Sequence, residues 1–159
     1  MSEDSTLPQI DAFDRAILRL VQADNSTPQR VIAERVGLSA PAVQRRIARL
    51  QRSGVITANT AIVDPEAVGQ PVTAIVEVNL REDRTPLLER ASRFFAAEPA
   101  VQQCYFVNGG VTFIVVLSAT SLSHFDSLLR RLFSDNEDVG TYRTFIVLNR
   151  VKVGLSVPI

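Results

Sequence analysis

The chain has 159 residues, enough for one domain or two small ones, and its 17 Lys+Arg cancel its 17 Asp+Glu, so bulk charge points to no polyanionic partner. A single cysteine, Cys104, excludes an intrachain disulfide and fits a reducing compartment, and no apolar run reaches the roughly 18 residues of a membrane span. The opening MSEDSTLPQIDAFDR is acidic and lacks the apolar centre of a secretory signal, so the expectation is a soluble cytoplasmic protein with no membrane partner.

Local charge tells a different story. From Thr27 to Ile56, six arginines stand against one acid, Glu34, a local balance of +5. From Ala61 onward, nine bases stand against eleven acids, a balance of −2. A basic segment joined to a slightly acidic remainder fits two modules with separate tasks.

Residues 1–10 read as a tail. Asp11 suits the N-cap of a helix running to about Gln22, with Phe13, Ile17, Leu18 and Val21 at helical spacing. ADNSTPQ breaks that helix. Thr27 then caps a second helix with Pro28 at its first position, Val31, Ile32 and Val36 facing inward, and Gly37 ending it. Ser39 caps a third helix, whose first turn holds Pro41, where a missing N–H costs little. Gly54 closes it. Two short helices across a tight glycine turn outline a helix-turn-helix, here residues 11–57.

The third helix carries four arginines in eight residues, Arg45, Arg46, Arg49 and Arg52, with no acid to pair them. At about 100° per residue, Val43, Ile47 and Leu50 turn inward. Arg45, Arg49 and Arg52 fall opposite, with Gln44 and Ala48 beside them and Arg46 on the flank. Like charges at 45/49 and 49/52 repel by roughly a few tenths of a kcal/mol each, a cost that a polyanion relieves. The arginine fork also suits phosphates and guanine edges. The helix is therefore read as a DNA-recognition helix. Gln44, Arg45 and Arg49 are assigned to base edges, and Ser39, Arg46 and Arg52 to phosphates, with Pro41 in the same DNA-facing turn.

Residues 58–71 form a linker with a turn at Asp64-Pro65. Beyond it the spacing predicts a strand over 72–80, a helix over 85–99 capped by Thr85, and a strand over 101–107. An Asn108-Gly109-Gly110 turn leads to a strand over 111–119 and a helix over 121–133, with Leu122, Phe125, Leu128, Leu129 and Leu132 as its core face. A last strand covers 141–153. The order β-α-β-β-α-β is that of a ferredoxin-like domain, residues 72–159. The fold class is thus α+β, an N-terminal winged helix-turn-helix followed by a C-terminal ferredoxin-like βαββαβ domain. Both helices of that motif cover one sheet face, yet residues 111–117 are almost wholly apolar, so the other face wants a partner. A self-complementary face argues for a homodimer or higher assembly, and paired helix-turn-helix units match a palindromic double-stranded DNA site.

No catalytic, metal or cofactor constellation stands out. His124 is the only histidine and has no acid or thiol at ligand spacing. Cys104 reads as a small core residue. Glu89 and Glu98 read as solvated helix acids, and Arg130-Arg131 as a solvated helix face. Gly109-Gly110 reads either as an effector-binding turn or as a plain hairpin turn; it lacks the glycine spacing and the following helix of a phosphate loop. The expectation is a non-enzymatic protein with no cofactor.

The segment DAFDRAILRLVQADNSTPQRVIAERVGLSAPAVQRRIARLQRSGVI, with VGLS, RRIARL and SGVI as its most telling pieces, resembles the DNA-binding half of the Lrp/AsnC "feast/famine" transcription regulators, and TANTAIVDPEAVG and VQQCYFVNGG fall where that family has corresponding segments. The resemblance implies dimers, often assembled into octamers, that bind promoter DNA and take a small effector, usually an amino acid, between subunits of the C-terminal domain. By position it carries the effector loop to Asn108, Gly109, Gly110, Val111 and Thr112, with Phe106, Leu122 and Phe145 as apolar neighbours. The family commonly has Gly-Asp-Tyr-Asp where this chain has Gly109-Gly110-Val111-Thr112, so neither acid is present to meet an ammonium group. Two readings remain open: a regulator responding to a small effector, and an effector-independent architectural DNA binder.

Overall fold

The structure, a computed structural model, describes residues 8–82 and 84–159. Residues 1–7 of the predicted tail lie outside the described residues. Two compact units emerge. One holds the chain up to Ala61 together with Val153–Ile159, and the other holds Ile62–Lys152. The last seven residues thus group with the first unit, whereas the sequence reading runs the second domain to 159. Among the described residues, no helix is long and apolar enough to cross a membrane.

The first unit is built on α1 (Ala12–Ala23), α2 (Gln29–Val36) and α3 (Ala40–Arg52). Asp11 caps α1 as expected and is part of a reciprocal capping box. Its carboxylate accepts from the Asp14 N–H at 2.8 Å, and the Asp14 carboxylate accepts from the Asp11 N–H at 3.0 Å. The α2 boundary shifts by one residue. Pro28, not Thr27, holds the cap position, and no side chain caps that end. Ile17, Ile32, Ala33 and Val43 form the centre of this unit's core, with Ile47 packed against it. Phe13 departs from the predicted inner stripe. It is exposed, and the Arg46 guanidinium lies 5.5 Å from its ring centroid. At the far side, Val157 exchanges two hydrogen bonds with the Gln22 side-chain amide at 2.8 and 3.1 Å, and Arg19 Nε donates to the Ile159 carbonyl at 2.6 Å.

The second unit holds β1 (Val72–Leu80), α4 (Thr85–Ala96), β2 (Val101–Phe106), β3 (Phe113–Ala119), α5 (Leu122–Leu129), a π-helical turn (Arg130–Ser134) and β4 (Val139–Ile146). The sheet order β2-β3-β1-β4, antiparallel throughout, is the expected ferredoxin-like one. Ala74, Val76 and Val78 of β1 and Val115 and Leu117 of β3 are fully buried beneath Phe95 of α4, Phe125 and Leu128 of α5, and Leu132 and Phe133 of the π-helical turn. Phe95 stands at the centre, with ring centroids 5.7 Å from Phe113 and 5.6 Å from Phe133.

Several predicted boundaries move. The Pro65–Gly69 turn closes with Gln70 N–H to Pro65 O at 2.7 Å, as Asp64-Pro65 suggested. Helix α4 stops at Ala96, and Thr85 lies inside it without capping it. The predicted last helix divides, because the Asp135 N–H reaches back five residues to the Arg130 carbonyl at 2.8 Å. That wider turn lets the consecutive Leu132 and Phe133 both bury. Leu122, assigned to the core face, is 64% exposed at the helix start.

Candidate nucleic-acid interface and effector loop

The turn before α3 is set by two local devices. Gly37 adopts φ +71°, a left-handed conformation that side chains resist, and the Leu38 N–H closes on the Ala33 carbonyl at 3.0 Å. Ser39 Oγ then accepts from the Ala42 N–H at 3.4 Å and starts α3. Val43 and Leu50 are buried to within 1% and fix the rotation of the helix. Ser39, Pro41, Gln44, Arg45, Arg49 and Arg52 are consequently exposed, and Arg46 is half-buried at the edge. All seven sequence-assigned residues thus sit on α3 or its cap.

Two of the four arginines, Arg46 and Arg49, are paired with acids, contrary to the sequence reading. Arg46 Nη1 donates to Asp11 Oδ2 at 2.7 Å and to Asp14 Oδ1 at 2.8 Å, and Arg49 Nη2 donates to Asp14 Oδ2. The carboxylate of Asp14 is fully buried. The acids come from α1, more than thirty residues upstream, so counting charges within α3 alone overlooks them. The one available signal was the pair Asp11 and Asp14 in the first turn of α1, read for its cap alone. The Asp14 backbone N–H and then Arg46 hold the Asp11 carboxyl below its ordinary value, and the hydrogen bonds to Asp11 and Asp14 push Arg46 higher still. Arg45 and Arg52 have no acidic partner among the described residues. A cavity of about 360 Å³ lies beside α3, lined by Asp11, Leu38, Ala42, Arg45, Arg46 and Arg49.

In the second unit, Asn108–Val111 form a loop closed by the Val107 N–H to the Thr112 carbonyl at 3.1 Å. The loop spans four residues, longer than the Asn108-Gly109-Gly110 turn read from sequence, so β3 begins at Phe113 and not at 111. Gly109 and Gly110 take φ +149° and +88°, and nothing lies within 4 Å of a side chain built on either. Conformation, not crowding, calls for glycine there. Thr112 is buried. Its N–H donates to Val78 O at 2.8 Å, and its Oγ1 accepts from the Leu80 N–H at 3.2 Å, where the β1–β4 register shifts. Phe106 and Phe145 are exposed, Phe106 with its centroid 5.7 Å from Phe113 and Phe145 under the Arg143 guanidinium at 5.1 Å. Leu122 lies at the opposite end of β3 from the glycines, roughly 20 Å away by strand rise. One chain by itself therefore does not gather the eight assigned effector residues.

Residues 73–157 match the family model for the Lrp/AsnC ligand binding domain, and residues 10–57 match a winged helix-turn-helix DNA-binding model. The chain belongs to the Lrp/AsnC family of transcriptional regulators. It is 38% identical to an uncharacterized HTH-type transcriptional regulator of Sinorhizobium fredii over 95% of this chain and 89% of that one. It is 31% identical to the leucine-responsive regulatory protein of Rhizobium meliloti over 95% of this chain and 97% of the other. The crystal structure of an AsnC family transcriptional regulator from Agrobacterium tumefaciens superposes with a TM-score of 0.86 at 26% identity, covering 94% of this chain and 97% of that one.

The other residues of this Lrp/AsnC regulator weighed as chemical candidates, His124, Glu98, Arg131 and Cys104, sit in structural settings. His124 Nδ1 accepts from the Thr120 N–H at 3.2 Å. Glu98 lies beyond the end of α4, with its side chain 11% exposed. It pairs with Arg131 at 2.6 Å and accepts from the Ala100 N–H at 3.1 Å, which holds its carboxyl below the usual range, the Arg131 bond contributing most. Glu98 is thus held in an ion pair and not solvated, while Arg131, its partner, stays exposed as expected. Cys104 is half-buried against the core, and burial pushes its thiol up. No cluster of three or more His, Cys, Asp or Glu poised to hold a metal occurs among the described residues.

Proposed function

We propose that this Lrp/AsnC regulator binds a palindromic promoter site as a homodimer or a higher assembly, up to an octamer, and that a small amino-acid-like effector at subunit interfaces of the C-terminal domain adjusts that binding. The observation that carries the DNA part is the outer face of α3. Ser39, Gln44, Arg45 and Arg52 are all exposed there, on a helix rigidly seated by Val43 and Leu50. Two such helices, one from each subunit, enter successive major grooves and read base edges while the cap and flanking arginines meet phosphates. Sequence selection from a random duplex pool by the full-length protein tests this. An enriched, two-fold symmetric motif is expected; recovery of the input distribution overturns sequence-specific reading.

The assembly part rests on the helix-free sheet face. Ile75, Ile114, Val116, Tyr105 and Phe145 share it by register, around the Glu77–Arg143 ion pair. An apolar face with a charged centre suits a self-complementary contact. The effector part rests on the glycine loop and on the leucine-responsive relative. A thermal-shift screen of amino acids, small organic acids and nucleotides tests it, since a ligand of the folded state raises the melting temperature. The alternative, an effector-independent DNA binder, is favoured by the loop's lack of a carboxylate and by the engagement of Thr112 Oγ1 with the Leu80 N–H. A flat screen together with unchanged DNA affinity across the same compounds supports that second reading.

A further inference from the structure

Among the described residues of the first unit, Asp14 is the one charged side chain that is fully buried, and its charged partners there come from α3. A buried carboxylate requires paired donors, and here the donors are Arg46 and Arg49. Arg46 is further engaged by Asp11 and stacked on Phe13, so its guanidinium is held from three directions. Arg45 lies one residue from Arg46, lines the cavity beside α3, and has no acidic partner among the described residues. Arg52, at the other end of α3, is likewise unpaired among the described residues.

We infer that Asp14 is a positioning residue that divides the arginines of α3 into two classes: Arg46 and Arg49 are clamped to α1 and orient the helix, while Arg45 and Arg52 are the guanidiniums available to DNA phosphates and base edges. This rests on the DNA-binding reading above and moves Arg46 from the phosphate set and Arg49 from the base-reading set to the framework. An arginine bonded to a buried carboxylate offers DNA only the N–H groups the acid leaves over, at a position the acid sets, and pulling it away loosens the pairing of a buried charge, which is costly. Arg45 carries no such cost. The cavity beside it, with Leu38 and Ala42 as its apolar lining, gives a backbone phosphate or a thymine methyl room to approach.

The test is the salt dependence of DNA binding, which counts phosphate contacts. Each contact adds about 0.9 to the slope of log affinity against log salt, or about threefold in affinity over a fourfold change in salt. The probe is a random-sequence duplex of about 40 base pairs, titrated with full-length protein and with the Arg45→Gln, Arg49→Gln and Asp14→Asn variants. Arg45→Gln is expected to flatten the slope by about one contact per recognition helix. Arg49→Gln is expected to leave it at the wild-type value. Asp14→Asn, which releases both clamped arginines, is expected to steepen it, an effect that mere loss of helix stability does not produce. Arg45→Gln alters an exposed side chain with no acidic partner among the described residues, and Arg49→Gln leaves Asp14 its bond to Arg46, so both keep the test decisive even where Asp14→Asn fails to fold. Equal flattening by Arg45→Gln and Arg49→Gln overturns the division while leaving DNA binding intact. No salt-dependent binding by the wild-type protein overturns the DNA-binding reading itself, and the division with it.

Discussion

Thr112 shows how a single side chain carries weight that its sequence context hides. It sits in the assigned effector loop, yet its hydroxyl oxygen serves the Leu80 N–H inside the sheet. Thr112→Val keeps the shape and strands that donor. The expected loss is about 1–3 kcal/mol in urea unfolding, with the midpoint falling and the slope unchanged. Asp11 gives a pH signature. Its folded-state pKa lies below the ordinary 3.8. Its contribution is therefore complete above that value and is lost as the pH falls through the lower, folded-state value. The stability difference between wild type and Asp11→Asn, followed by thermal unfolding from neutral pH downward, is expected to shrink only in that acidic range. A gap that closes near neutrality overturns this assignment to Asp11. Cys104 is expected to alkylate more slowly than a free thiol at mildly alkaline pH, because burial raises its pKa.

At the scale of elements, the turn between α2 and α3 and the sheet centre are where substitutions separate most clearly. Gly37→Ala forces a side chain into φ +71° and is expected to cost about 1–2 kcal/mol, read by chemical denaturation of the full chain. Phe95→Ala opens a cavity among Phe113, Phe133 and the β1 valines, at an expected cost of about 3–5 kcal/mol. Elements whose cause is local were legible in the sequence. The Ser39 cap, the Gly37 stop and the 72–80 strand all stand where the residues placed them. Elements decided by distant partners were not. The π-helical turn at Arg130–Ser134 arises because Leu132 and Phe133 both have room beneath the sheet's helix layer, and no periodicity in 121–133 signals it. Leu122 matches the helical stripe but lies past the edge of the strands it was assigned to cover.

On the scale of the whole molecule, the apolar helix-free face and the C-terminal segment make separate predictions. Tyr105 and Phe145 are 48% and 43% exposed on that face. Sedimentation of the wild-type protein is expected to show a dimer or larger species. The Tyr105→Glu/Phe145→Glu double variant is expected to sediment as a smaller one, because charge on an apolar contact is costly to bury. An unchanged assembly state places the contact elsewhere. The C-terminal residues return to α1 of the first unit, where Gln22 and Arg19 meet Val157 and Ile159. Gln22→Ala is expected to speed amide exchange in 153–159 without altering exchange in β1 or β3, which belong to the other unit.

The sequence by itself determined the order of elements, the tandem of helix-turn-helix and ferredoxin-like domains, and the outward face of α3, because caps, glycines and periodic apolar residues act over a few positions. Tertiary structure alone decided which arginines of that face are free. The acids that engage Arg46 and Arg49 come from another helix, and only folding brings Asp11 and Asp14 within hydrogen-bond reach. It likewise decided that the effector-assigned residues of one chain stand at opposite ends of the sheet, since strand pairing, not sequence distance, sets their separation.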